Sequence, residues 1–188
     1  MSSNLLRSLI TTALCASLLY SPLSQAGKTQ HRQHGSHEHG LAQLNIAIED
    51  SQIYLELASP AANIIGFEHK PHNDTQRQTL KKALKILNQP KLLFTPSPPA
   101  NCKLSKFEVD ADTLQETHEK KDSHNHTGHA DFSAHYVFHC NKIDKLDTLQ
   151  LPLLQQFPGI KQLQVQLLTE SGQRAMTITA NKATINLK

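Results

Sequence analysis

The chain has 188 residues and a formal net charge of +3 at pH 7, with 19 Lys and Arg against 16 Asp and Glu, 12 His and 5% aromatic residues. The basic residues are scattered and the aromatics few, which excludes the footprint of a nucleic-acid binder. The length suits one domain with a real core, and the histidines are the compositional feature left to explain.

Residues 1–26 read as a secretory signal. Arg7 supplies a short positive region, Leu9 to Tyr20 is an apolar run, and Ser24-Gln25-Ala26 places small residues where a signal peptidase reads, so cleavage is expected after Ala26. The apolar run falls short of the roughly 20 residues of a membrane span. No later segment is long and apolar enough either, and no stable membrane insertion is expected after cleavage. Residues 27–40 form a polar, His-rich N-terminal segment, and 41–188 are expected to form one α+β metal-binding domain.

Within 41–188, LAQLNIAIEDSQIYLELA alternates. Leu44, Ile46 and Ile48 share one strand face, Ile53, Leu55 and Leu57 share the next, and Asp50-Ser51 marks the turn of a hairpin. SPAANIIGFEHKPHN follows as a connection broken by Pro60, Gly66 and Pro71. Asp74 can cap a helix in which Leu80, Ala83, Leu84 and Leu87 recur at helical spacing before Pro90. TPSPPANC reads as a stiff loop, and CKLSKFEVDAD as a strand. Residues 112–129 are charged, His-bearing and without apolar period, which predicts a long exposed flexible loop. DFSAHYVFHC is a strand, and LPLLQQFPG a short helix with Pro152 near its first turn. Leu163, Val165 and Leu167 then pair with Met176 and Ile178 across a turn at Glu170–Gly172, and Thr184–Leu187 forms a last strand. This order gives an α+β domain of mainly antiparallel sheet with one or two helices.

Cleavage removes Cys15 and leaves Cys102 and Cys140. An even pair in an exported protein reads most simply as a disulfide, here bracing the ends of the segment that holds the His-rich stretch. The alternative is a pair of thiolate metal ligands.

Strand geometry sorts the histidines. Positions i and i+2 face the same way about 6.7 Å apart, whereas i and i+4 lie about 13 Å apart and cannot share an ion unaided. His129 and Asp131 therefore form one half-site, and His37 and His39 a second that could complete the first. His135 and His139 lie too far along to join Asp131 and read as polar strand-face residues. His69, beside Glu68, is either a ligand or a structural turn histidine. His118, His124 and His126 sit in the 112–129 loop, where ordering costs entropy and contacts would be weak and exchangeable; a solvated polar linker is the plainer reading.

Imidazole with a carboxylate suits Zn²⁺, with Ni²⁺ or Cu²⁺ possible on raw affinity. Met1 and Met176 are the only methionines, so a Met-rich Cu(I) site is absent. HNHTGH resembles the H-x-H-x-D-H signature of metallo-β-lactamase-like hydrolases, but Gly128 stands where the aspartate belongs. No G-x-S-x-G, H-E-x-x-H or glycine-rich phosphate loop is present, so no enzyme is expected.

Several stretches together resemble one family: HEHGLAQLNIAIED, LELASPAANIIGFEH, the C-x-L after the proline loop, HADFSAHYVFHC and FPGIKQLQVQLLTESGQ. They look like the ZrgA-type periplasmic zinc-binding proteins of Gram-negative bacteria, and the resemblance covers nearly all of 27–188. It implies a periplasmic protein that captures Zn²⁺ and hands it to a zinc uptake system, an ABC importer permease or another zinc carrier. It also implies a His-rich loop of variable length between the cysteines. By matching motif it carries over His37 and His39 from H-x-H-G, His69 from GFEH, and His129 and Asp131 from H-x-D. A zinc buffer without a transport partner, and an envelope-interaction domain with incidental histidines, are the competing readings.

Overall fold

The computed structural model describes residues 38–111, 114 and 130–188. The predicted signal, His37, His118, His124, His126 and His129 lie outside the described residues.

Strands β1 (Leu41–Glu49) and β2 (Gln52–Pro60) form the expected antiparallel hairpin, with Leu44 opposite Leu57, Ile46 opposite Leu55 and Ile48 opposite Ile53. Asp50 takes a left-handed φ of 52° at the turn, a conformation that Asp and Asn tolerate better than most residues.

The next stretch differs from the open connection expected. The strand runs on to Pro60, and a short helix α1 (Ala61–Ile65) follows at once, ending at Gly66 with φ 84°. Pro60 precedes the first turn, where a missing N–H costs nothing, so it opens this helix rather than breaking the chain. The main helix α2 (Asp74–Leu87) is capped by Asn73, not by Asp74: the Asn73 side chain accepts from the Gln76 N–H, while Asp74 adds negative charge to the first turn. Leu80, Ala83 and Leu87 enter the core.

The stiff loop TPSPPANC holds a two-residue strand β3 (Thr95–Pro96) and a 3-10 turn at Pro98–Ala100, and a 3-10 turn at Pro90–Leu92 follows α2. Strands β4 (Cys102–Asp110) and β5 (Asp131–Cys140) pair antiparallel, and Cys102 sits directly opposite Cys140. The two form a disulfide across 38 positions with their Cα atoms 3.9 Å apart, which removes the thiolate-ligand alternative. The exposed-loop expectation for 112–129 fails at Leu114, which is 1% exposed and packs with Ala111 and Ala130 in the core.

The chain continues through β6 (Thr148–Gln150), α3 (Leu153–Gln156), β7 (Gln162–Thr169), β8 (Gly172–Ile178) and β9 (Thr184–Asn186). Leu163 opposes Ile178 and Val165 opposes Met176, as the alternation predicts. Among the described residues the strands make a six-stranded sheet of order β4-β5-β2-β1-β7-β8 and a small sheet β3-β6-β9. The fold is thus α+β, and the sheets are antiparallel except where β1 and β7 run parallel.

One face of the large sheet shares a continuous core with α2, α3 and the small sheet. Tyr136 lies in that core and its hydroxyl donates to the Leu87 carbonyl at 2.9 Å, tying β5 to the end of α2. Burial pushes the Tyr136 phenol well above its usual value, so it stays a neutral donor. The opposite face carries exposed Gln43, Asn45, Glu56, His135 and Gln164.

Candidate metal site

Strand direction brings the histidine-bearing motifs to one end of the large sheet. β1 starts beside the end of β2, with Gln43 opposite Ala58, and β5 starts there too, with Pro60 opposite Asp131. β4 ends there at Asp110, three positions beyond the pairing of Phe107 with Tyr136. The 112–129 segment therefore leaves and rejoins the described structure at the end that carries His39, Glu68 and Asp131.

One buried asparagine holds this end together. Asn63 on α1 is 5% exposed. Its Oδ1 accepts the Gly40 N–H at 2.6 Å, and its Nδ2 donates to the Leu41 carbonyl at 2.8 Å and to Ser59 Oγ at 3.3 Å. Gly40 has φ 89°, which favours glycine directly after His39, and its carbonyl accepts from the Lys161 and Gln162 N–H groups at 2.7 and 2.9 Å. Gly159 lets the chain before β7 press on α1: a Cβ there would lie 2.2 Å from the Asn63 carbonyl oxygen. Asn63 escaped the sequence reading, where its only signal is a lone polar residue in the apolar stretch AANII.

The ligand-bearing side chains themselves make two pairs. His39 Nε2 lies 3.0 Å from Glu68 Oε1; the histidine side chain is 69% exposed and the glutamate 15%. As it stands this is a hydrogen bond in which Nε2–H donates to the carboxylate. Two donors on one tetrahedral zinc are roughly 3.3 Å apart, so the pair also fits two corners of a zinc shell once the shared proton leaves. Alternatively the carboxylate can orient the ring while Nδ1 ligates. Glu68 was visible in sequence only as the neighbour of His69.

His69 does not join this pair; its ring stacks on Phe67 with centroids 5.2 Å apart and on His72 with centroids 4.3 Å apart. Asp131 heads β5 with its Oδ1 buried, and its expected partner His129 lies outside the described residues, as does His37. Among the described residues no three His, Cys, Asp or Glu side chains gather around one point. His135 stands on the open face 4.0 Å from Glu56, and His139 contacts Ser51 Oγ at 3.2 Å at the far end of the sheet.

The chain is a disulfide-braced α+β domain with a His39–Glu68 pair at one sheet end. Residues 36–187 match the model of the ZrgA family zinc uptake proteins, and the chain belongs to that family. Its role therefore lies in zinc uptake, and the family is not one of enzymes. No curated protein sequence matches the chain. No helix among the described residues is long and apolar enough to cross a membrane.

Proposed function

We propose that this chain is a periplasmic zinc carrier. It holds Zn²⁺ as cargo at the sheet end around His39 and Glu68 and passes it to a zinc uptake system, either an importer permease or another periplasmic zinc carrier. The observation that carries this reading is the His39–Glu68 pair, two donors from distant parts of the sequence set 3.0 Å apart on a hydrogen-bonded scaffold. Asp131, at the same end, and His37 and His129, next to it in sequence, are the donors proposed to complete the shell. The histidines of 112–129 act as a weak collector, since both ends of that segment meet the sheet beside the pair. The signal-like pattern read in residues 1–26 supports a periplasmic address, and imidazole must be neutral to ligate, which suits a compartment near neutral pH.

Zinc calorimetry tests the reading on three proteins: the chain after signal removal, the same chain lacking 115–127, and that shortened chain with His39→Ala. One tight site should survive the deletion and vanish with His39→Ala. Loss of all tight binding on deletion would instead make the loop the working part. Growth of a deletion strain in zinc-poor medium separates carrier from buffer, because only a carrier's loss slows growth there.

A further inference from the structure

We propose that the outer face of α2 is a docking surface for an anionic phospholipid bilayer. The basic residues look scattered along the sequence, but this helix gathers several of them. Arg77, Lys81 and Lys85 recur at i, i+4 and i+8, which aligns them in one stripe, and Lys82 lies beside it. All four are exposed, while Leu80, Ala83 and Leu87 on the other side of the helix enter the core. The 3-10 turn at Pro90–Leu92 adds exposed Lys91 and Leu92, the latter 41% exposed. No acidic residue occurs in the sequence between Asp74 and Glu108. Asp74 is taken up by Arg77 at 2.7 Å, and among the described residues no carboxylate pairs with Lys81, Lys82, Lys85 or Lys91.

This concentration of charge works against the helix that carries it, because like charges at i, i+3 and i, i+4 repel. The helix dipole accounts for Lys85, in the last turn, but not for Lys81 and Lys82 in the middle. Folding leaves a repulsive stripe that a negative surface outside the molecule would relieve. The composition of the face favours a bilayer over an acidic protein. Protein interfaces are enriched in Arg and aromatic side chains and depleted of Lys. Here three lysines stand with one arginine that is already paired, and α2 contains no aromatic residue. Long, flexible Lys side chains suit a fluid plane of phosphates, where each adds to binding without a fixed partner. Successive cations of the stripe are about 6 Å apart along the axis. That is within the screening length of roughly 10 Å at 0.1 M salt, so they act together. Leu92 supplies an apolar side chain beside Lys91 that can enter the headgroup layer. Such docking is peripheral and reversible, and it holds an exported domain against the membrane. It does not depend on the zinc reading.

The test is co-sedimentation of the full chain after signal removal with vesicles of phosphatidylglycerol and phosphatidylethanolamine, and with vesicles of phosphatidylcholine. It is run in about 0.1 M salt at pH 8, where histidines of ordinary pKa are neutral and do not add to the attraction. The chain should sediment with the anionic vesicles and not with the zwitterionic ones. The combined variant Lys81→Gln, Lys82→Gln and Lys85→Gln should partition roughly 100-fold more weakly. Gln is as good a helix former as Lys, so the fold is not at risk. A control variant, Lys103→Gln, Lys142→Gln and Lys182→Gln, removes the same charge from exposed positions elsewhere and should stay near the wild type. No sedimentation with anionic vesicles overturns the proposal, and so does an equal loss in both variants, which would make net charge the cause. Binding to soluble polyglutamate but not to vesicles would also overturn it and assign the face to an acidic protein. Zinc calorimetry on the α2 variant reports separately: loss of the zinc reading leaves the lipid result standing, and the reverse holds too.

Discussion

The two ends of the six-stranded sheet are built on different principles. At the far end the Cys102–Cys140 disulfide joins β4 to β5, the Cys140 N–H donates to the Ser51 carbonyl at 2.8 Å, and the Lys142 N–H donates to the Ala100 carbonyl at 3.0 Å. Among the described residues that end carries His139, with the carboxylates of Glu49 and Asp50 at the β1–β2 turn. At the near end Asn63, Gly40 and Gly159 place His39 and Glu68 through hydrogen bonds and close backbone contact, without a covalent tie. The comparison teaches that this fold separates what holds it from what it could bind. Covalent bracing sits at one end, and the other end keeps the exposed His39 ring beside Glu68.

The sharpest way to break that comparison is to cut the disulfide. Replacing both Cys102 and Cys140 by Ala should lower stability by about 4 kcal/mol, the loop-closure value for a bridge of this span, measured by urea denaturation. Zinc affinity of the folded fraction should change little. A parallel loss of affinity would mean the ends are coupled and the separation is false. Asn63→Ala should do the converse. It strips three hydrogen bonds from a buried site, at a cost of about 2 kcal/mol, and frees the backbone at Gly40. Zinc affinity at the His39 site should fall by roughly 10- to 100-fold, the range seen when outer-shell support is lost, and calorimetry on the chain lacking 115–127 reads it directly.

What the sequence disclosed about these two ends follows from element length. The β1–β2 and β7–β8 hairpins were legible because strands of seven to nine positions show which face is apolar. Helix α1, with five residues, and strands β3 and β6, with two and three, hold too few positions to show a period. Alternation also fixes the face of a strand but not its neighbour, so the parallel contact of β1 with β7 was invisible. The pairing of Cys102 with Cys140 was read correctly. Asn63 was missed because its burial arises from α1 pressing on Gly159, a contact between residues about a hundred positions apart in the chain.

A smaller effect tests whether α2 links the two ends. Tyr136 lies midway along β5 and donates to the Leu87 carbonyl at the end of the helix whose first turn follows His72. Tyr136→Phe keeps the ring and removes the hydroxyl, which should cost about 1 kcal/mol at neutral pH. The pH dependence has a definite sign. Burial raises the folded-state value above the ordinary 10.0, so above pH 10 the unfolded chain loses this proton while the folded chain keeps it. The unfolded state then binds fewer protons, and stability falls as pH rises; below pH 10 the contribution is fully present. Denaturation should show the wild type losing stability above pH 10 more steeply than Tyr136→Phe. Equal slopes would mean that water reaches the phenol and the core there is looser than the packing implies. Zinc affinity at pH 7 should match the wild type in this variant, because the Tyr136 bond meets α2 at its last turn, far along the helix from the His72 end. A change in affinity would show instead that α2 transmits strain from β5 to the proposed zinc site.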